Sequence, residues 1–489
     1  MARKHHLLQW LFMISLFSCL VINQSFFTHS SVALGEKINI EQKANALFNI
    51  NTLNHDEAQS VIVKEYKRGA CNQQRDSNVD AQGVWSRFHR QLITRKLNLL
   101  SKNFIDNHQK LYSVITDMSD LQLMEIQGFH NQECRLPLMN NQEINHSLSA
   151  ANTAIFNSII LEQKTAIIVQ FPRTNQKLKL HWINIDSQAF REEINKFRIG
   201  LENYGDITYN PQQAQHLYDW IIKPFVDDLE SLQINTLVFI QDAILRSVPM
   251  AALHDGEKFL IEKYAIATTP SLSLTNLQTS KRTKFRALAV GLTQDAIVDG
   301  RRYEALSNVA TEIREVEKQI PGSKQLLDQN FTRDRIKSEL RESFYPVIHI
   351  ATHGEFGQYP DETFLVTGDN KKLTITDLDN IFRSLSYNHK TVDLLLLTAC
   401  ESAIDNDRAA LGLAGVAVQA GVKTALASLW SINDASTVKL VTKFYEAWCH
   451  SGVSKAEALQ IAQRSLITNG GLSSHPAYWA AFILVGNWL

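Results

Sequence analysis

The sequence predicts an α/β protein: a largely parallel sheet flanked by helices across residues 152–489, preceded by a helical region. Three observations carry this prediction. From residue 152 onward, short apolar runs of strand length alternate with amphipathic stretches of helical period, the pattern of a parallel sheet with crossover helices. The run Leu394-Leu395-Leu396-Leu397 is apolar at every position, as an interior strand covered on both faces requires. Two apolar runs also end by delivering a reactive side chain, in Val347-Ile348-His349-Ile350-Ala351-Thr352-His353-Gly354 and in Leu394 to Thr398 followed by Ala399-Cys400-Glu401-Ser402. Parallel strands present their C-terminal ends on one edge, where ligands and chemistry sit.

Composition narrows the class. The 489 residues leave room for two or three domains at about 150 residues each. A hydrophobic content of 44% and a charged content of 20% describe a globular chain. The net charge of -1, without a basic block, gives no electrostatic footprint for nucleic acid. Five cysteines are too few for a disulfide scaffold.

Taken in order, residues 1–33 read as a signal peptide or N-terminal anchor. Arg3-Lys4-His5-His6 is a basic start, Leu7 to Ile22 is mainly apolar, and Ser31-Val32-Ala33 is a small-x-small cleavage site. The apolar stretch is shorter than the about 20 residues of a stable span. Three readings stay open, namely a cleaved export signal, a retained membrane anchor and a buried helix. Export would place the protein in the periplasm or outside the cell and would let Cys71 and Cys134 pair. Residues 36–150 are polar, with helical spacing over Val84 to Leu100 and no clear repeat. A helical bundle or partner-binding segment and divergent helical repeats both fit.

Beyond residue 152, strands are expected at Ala166–Phe171, Thr236–Ile240, Phe285–Gly291, Thr391–Thr398, Lys423–Leu429 and Ala480–Val485. Helices are expected at Gln212–Leu229 (divided at Pro224), Asn308–Gln319, Leu411–Ala420, Ser436–Cys449 and Ser454–Leu466. Ser454-Lys455-Ala456-Glu457 is a capping box for the last of these.

Cys400 after four leucines reads as a buried small hydrophobe, or as a nucleophile at a strand end with small neighbours. His353 reads as a hydrogen-bonded loop histidine or as the base that activates the thiol. Gly354 favours the second reading, because a residue without Cβ lets a substrate approach the backbone closely. Its N–H can then face a developing oxyanion beside that of Cys400. His349, four residues earlier on the strand, reads as structural support. A metal site from His349, His353 and Cys400 has no CxxC or HExxH element behind it, and no cofactor is expected. Asp434 reads as a helix N-cap or as a specificity acid.

These segments resemble the His-Gly and Ala-Cys signatures of caspase-like cysteine peptidases. The region from about 152 to 489 is similar to the CHAT domain, a caspase-like branch found widely in bacteria and related to separases. Further matching segments include Leu217 to Pro224, Leu237 to Asp255, Ala427 to Asp434 and His475 to Phe482. The resemblance implies two pseudo-symmetric halves, a non-catalytic one over about 152–280 and a catalytic one over about 281–489. It implies Cys400 as nucleophile, His353 as general base, and the Gly354 and Cys400 amides as oxyanion donors. Leu429-Trp430 followed by Asp434 resembles the separase segment that holds a basic P1 side chain, which makes Trp430 and Asp434 candidate substrate-binding residues.

The expected function is therefore a caspase-like cysteine endopeptidase acting on a protein or peptide substrate, with its activity open to regulation. A regulatory partner on the N-terminal helical region is expected, and contact with a membrane only where the N-terminal segment is retained. The competing class is a non-catalytic CHAT-fold module that binds a protein or peptide.

Overall fold

The computed structural model describes residues 90–98, 104–130, 152–172, 178–202, 209–277, 285–355, 357, 362–387, 390–398, 418, 420–430 and 434–489. The expected signal segment 1–33, Cys71, Cys134, Cys400 and most of the helix expected over Leu411 to Ala420 lie outside these residues. The chain divides into two compact units, Met1–Phe88 and His89–Leu489, and every described residue belongs to the second.

Residues 90–98 form α1, and α2 follows (Phe104–His130). Next comes an antiparallel meander of β1 (Thr153–Ile160), β2 (Thr165–Gln170) and β3 (Leu178–Ile183). After α3 (Ser187–Glu202), the helix expected over Gln212–Leu229 breaks as proline dictates. It becomes α4 (Gln212–Ile221), a 3-10 turn at Lys223–Phe225 and α5 (Val226–Ser231), because Pro224 lacks the donor a continuous helix needs. β4 (Thr236–Ile240), the short α6 (Leu260–Lys263) and β5 (Ala265–Thr268) complete the first half.

The second half opens with β6 (Ala287–Gly291) and a hairpin of β7 (Ala296–Val298) and β8 (Arg301–Tyr303). Then come α7 (Val309–Gln319), β9 (Lys324–Leu327), α8 (Arg333–Glu342) and β10 (Val347–Ala351). A small antiparallel sheet of β11 (Gly354–Glu355), β12 (Phe364–Val366) and β13 (Lys372–Thr374) leads to α9 (Ile375–Tyr387). β14 (Leu394–Thr398), β15 (Thr424–Ser428), α10 (Asp434–His450), α11 (Lys455–Thr468) and β16 (Phe482–Gly486) end the chain. The expected capping box holds α11: the Ser454 side chain accepts from the Glu457 amide while Glu457 accepts from the Ser454 amide.

Eleven strands form one sheet in the order β3-β2-β1-β4-β5-β16-β15-β14-β10-β6-β9. β16 pairs parallel with β5 and antiparallel with β15, so the last strand is the seam between the halves. Strands β1, β4, β5 and β16 run one way, and β15, β14, β10, β6 and β9 run the other. The C-terminal strand ends of the two halves therefore open on opposite edges of the sheet. At the end of β16, Gly486 has φ +99°, and a Cβ there would meet the Lys423 carbonyl at 2.4 Å, so only glycine fits.

Alternation within the strands sorts the core. Ala289, Val347, Ala351, Leu394, Leu396 and Leu426 face α7 and α10, which contribute Ile313, Val316, Leu440 and Phe444. Val290, Ile348, Ile350, Leu395 and Leu397 face α8 and α9 through Ile336, Leu340, Ile381 and Phe382. In the first half, α1 and α2 bury Ile93, Leu97, Leu111, Val114, Met118 and Leu121 against β1–β3 residues Ile159, Ala166, Ile168 and Leu178. The apolar stripes of these two helices are thereby covered by the sheet. No helix among the described residues is long and apolar enough to cross a membrane.

Candidate active site at the strand ends

β10 and β14 are parallel neighbours, with Ala351 opposite Thr398. His353 lies two residues past Ala351, and in sequence Cys400 lies two residues past Thr398. Paired strands lie about 4.8 Å apart, so the ends of β10 and β14 are neighbours on one edge.

His353 is partly exposed and anchored at one nitrogen. Its Nε2 is 2.7 Å from the Glu304 carbonyl oxygen. A carbonyl only accepts, so Nε2 carries the proton, and in the neutral ring Nδ1 holds the lone pair. The Tyr303 ring packs beside the imidazole with centroids 5.5 Å apart. Tyr303 is itself fixed by its hydroxyl on Glu355, which also pairs with Arg301 at 2.6 Å. The β7–β8 hairpin, absent from the sequence-based expectation, is thus what orients the histidine. Its strands are three residues each, too short to leave a periodic signal.

Gly354 is buried at the start of β11. The Val366 amide donates to the His353 carbonyl at 2.9 Å, and Gly354 stands opposite Leu365. In an antiparallel pair the hydrogen-bonded and non-bonded positions alternate, so the Gly354 N–H points away from β12. That N–H therefore takes no part in the β11–β12 ladder.

Trp430 is 2% exposed and lies at the seam. Its Nε1 donates to the Ala477 carbonyl at 3.1 Å, and the Arg198 guanidinium of α3 sits 5.3 Å from its ring centroid. Its contacts are internal, so it supports the segment after β15 instead of lining a surface. Asp434 is the first residue of α10, on the strand-end edge that β15 shares with β14 and β10. Cys400 lies outside the described residues.

His349 does not share the surroundings of His353, because β10 ends at Ala351 and a bend follows at Thr352. Its ring is fully buried between β10, α7 and α10, with Nε2 2.9 Å from Glu312 Oε1 and Nδ1 3.2 Å from the Tyr445 hydroxyl. Thr398 Oγ1 donates to the same Glu312 oxygen at 2.7 Å. Burial pushes the Tyr445 phenol well above its ordinary range. Sequence reasoning missed Glu312, although a signal was available: it falls on the apolar stripe of Val309, Ile313 and Val316, where a solvated acid does not belong. Among the described residues, no group of three or more His, Cys, Asp or Glu side chains is arranged to hold a metal ion.

A family model described as the CHAT domain matches residues 211–487. No curated protein matches the chain. Among solved structures, separase of Saccharomyces cerevisiae, in its complex with securin, is 10% identical over 93% of this chain and 40% of its own, with a TM-score of 0.47. The Arg-specific cysteine proteinase gingipain R is 9% identical over 62% of this chain and 74% of its own, with a TM-score of 0.37. The chain thus spans less than half the length of the separase it matches. Because the family match covers more than half of the 489 residues, including β10, β14 and β15 with the strand ends they carry, the chain belongs to the CHAT domain family.

Proposed function

We propose that this protein is a caspase-like cysteine endopeptidase, with Cys400 as nucleophile and His353 as general base. The observation that carries the reading is the anchored imidazole two residues past β10, at the same offset that separates Cys400 from the paired end of β14. A nucleophile, a base and a third group orienting the base form the arrangement that activates a thiol. Here the third group is the Glu304 carbonyl, and the nitrogen it leaves to act as base is Nδ1.

The chemistry then follows. Nδ1 takes the Cys400 thiol proton, and the thiolate attacks the scissile carbonyl carbon. The electron pair displaced onto oxygen is held by the N–H groups of Gly354 and Cys400. Collapse breaks the C–N bond, and the imidazolium returns its proton to the leaving amine. Water, deprotonated by the same imidazole, releases the acyl group and regenerates the thiol.

The substrate is a protein or peptide, and cleavage follows a basic residue held by Asp434. Export through residues 1–33 belongs to the same proposal, with mature protein beginning near Leu34. The deciding experiment is covalent labelling of the full-length protein by a peptide electrophile carrying Arg at P1. Labelling that maps to Cys400 and disappears in His353→Ala supports the reading. A wild-type Cys400 that reacts no faster than the other cysteines sinks it.

A further inference from the structure

Beneath the candidate dyad lies a buried polar cluster that peptide hydrolysis, as derived above, does not use. It joins four elements: Glu312 on α7, His349 on β10, Thr398 at the end of β14 and Tyr445 on α10. Glu312 Oε1 accepts from Thr398 Oγ1 at 2.7 Å and from His349 Nε2 at 2.9 Å, and a carboxylate oxygen only accepts, so both partners donate. The Glu312 side chain is 2% exposed and that of His349 is 0%.

Folding alone gives no reason for this cluster. Taking ionisable groups out of water costs several kcal/mol, and apolar residues of the same volume pack such a face at least as stably. The surrounding positions of this face are in fact apolar, with Ala289 and Leu396 flanking His349 in register. What the cluster supplies is a tie between two strands at the place where the sheet stops. Thr398 is the last residue of β14 and precedes Cys400 by two, while His349 precedes His353 by four on the neighbouring strand. β14 ends at Thr398, and the hydroxyl bond to Glu312 restrains that end.

We propose that Glu312 is a positioning residue: by holding the Thr398 hydroxyl against His349 it fixes where the nucleophile strand ends relative to the base strand. The proposal rests on the peptidase reading. An error of about 1 Å between reacting groups costs about 100-fold in rate, so a tie at the residue two before Cys400 in sequence bears on kcat. Glu312 and Thr398 are not among the proposed substrate-binding residues and act through the dyad, so the loss is expected in kcat, with KM little changed.

Three variants of the full chain test this. Thr398→Val keeps the branched shape and strand preference while removing the donor, and Thr398→Ser keeps the hydroxyl. Glu312→Gln keeps an acceptor for Thr398 and removes the charge. Two readouts are needed, kcat and KM for a peptide substrate and the rate of Cys400 alkylation by iodoacetamide, resolved by mass spectrometry. The expected result is a kcat about 10- to 100-fold lower in Thr398→Val with KM unchanged, near-complete recovery in Thr398→Ser, slowed alkylation in Thr398→Val, and alkylation near wild type in Glu312→Gln, which keeps the acceptor. Wild-type kcat and alkylation in Thr398→Val overturn the proposal. Equal losses in the Val and Ser variants also overturn it, since packing and not the hydroxyl would then matter. If Glu312→Gln does not fold, the Thr398 pair decides, because it leaves the Glu312–His349 contact whole. A wild type that cleaves no peptide refutes the peptidase reading, and alkylation still decides the positioning: an unchanged rate in Thr398→Val refutes it separately.

Discussion

Two strand ends on opposite edges of one sheet have been put to opposite uses. Asp242 lies two residues past β4, as His353 lies two residues past β10. Asp242 is 0% exposed, and both its oxygens are committed. Oδ1 accepts from Arg90 at 2.9 Å, and Oδ2 accepts from Arg90 and from the Ile160 amide, each at 2.9 Å. Glu125 of α2 bridges Arg90 and Arg246, so two positive and two negative groups balance. His353 is partly exposed and anchored through Nε2 to one carbonyl. A buried side chain with both oxygens engaged holds the fold together. One that keeps a lone pair for an incoming proton suits the proposed role of a base. The residue type matters less here than how much of its bonding capacity the fold consumes.

The comparison breaks most sharply at the His353 edge. Cys400→Ala and His353→Ala are each expected to lower peptide hydrolysis by at least about 10⁴-fold, as loss of a nucleophile or base does elsewhere. Thermal stability should stay near wild type, because a group kept available for chemistry holds little of the fold. Turnover and calorimetry on the same preparations check both halves, and hydrolysis at wild-type rate in Cys400→Ala removes the nucleophile.

Asp242→Asn reverses the pattern. It strips the charge that compensates Arg90, and breaking a buried pair on one side costs about 3–5 kcal/mol. Denaturant unfolding should show that loss, with hydrolysis per folded molecule unchanged. A variant as stable as wild type would mean that α1 and α2 are held by Ile93, Leu97, Leu111 and their apolar neighbours alone.

Asp434 is the intermediate case. As a specificity acid it favours Arg at P1, since a planar guanidinium binds a carboxylate bidentately. Loss of a desolvated pair costs about 2–5 kcal/mol of that preference. As a helix cap it contributes about 1 kcal/mol of stability and no preference. Profiling wild type and Asp434→Asn against a P1 library separates the two, and an unchanged profile removes the specificity role.

What the sequence made legible follows the same logic of local against distant. Thr236–Ile240 matches its expected strand because five consecutive buried residues leave no other periodicity. The Ser454 cap is legible because donor and acceptor sit three positions apart. The strand-end placement of His353 is legible because an apolar run stops just before it. The direction of β16 is not, since Phe482–Gly486 reads alike whether its neighbours run parallel or antiparallel. Nor is the Arg90–Asp242 contact, whose partners are 152 positions apart and each ordinary in its own segment. The β7–β8 hairpin that orients His353 escaped for want of length, and the bonds of Glu312 escaped because its partners lie on two distant strands.

The gentlest way to sharpen the comparison is acid, which addresses the Asp242 edge without a mutation. Burial, the largest influence on Asp242, pushes its carboxyl up, but the charge and hydrogen bonds of Arg90, then Arg246 and the Ile160 amide, outweigh it and hold the group below its usual range. A carboxylate depressed in the folded state contributes stability that is fully present above its unfolded value, near 3.9, and is lost as pH falls through the lower folded value. Below about pH 4, α1 and α2 should therefore loosen from β1–β3, because Asp242, which ties Arg90 of α1 to the end of β4 and to the Ile160 amide, loses its charge there. Hydrogen exchange over residues 104–130, followed from pH 6 down to pH 3, reads this directly. In Asp242→Asn the helices should already exchange faster at pH 6, with the acid-dependent part of the change removed. An Asn variant that keeps the full wild-type acid response would place the titrating group elsewhere and leave Asp242 a packing residue only.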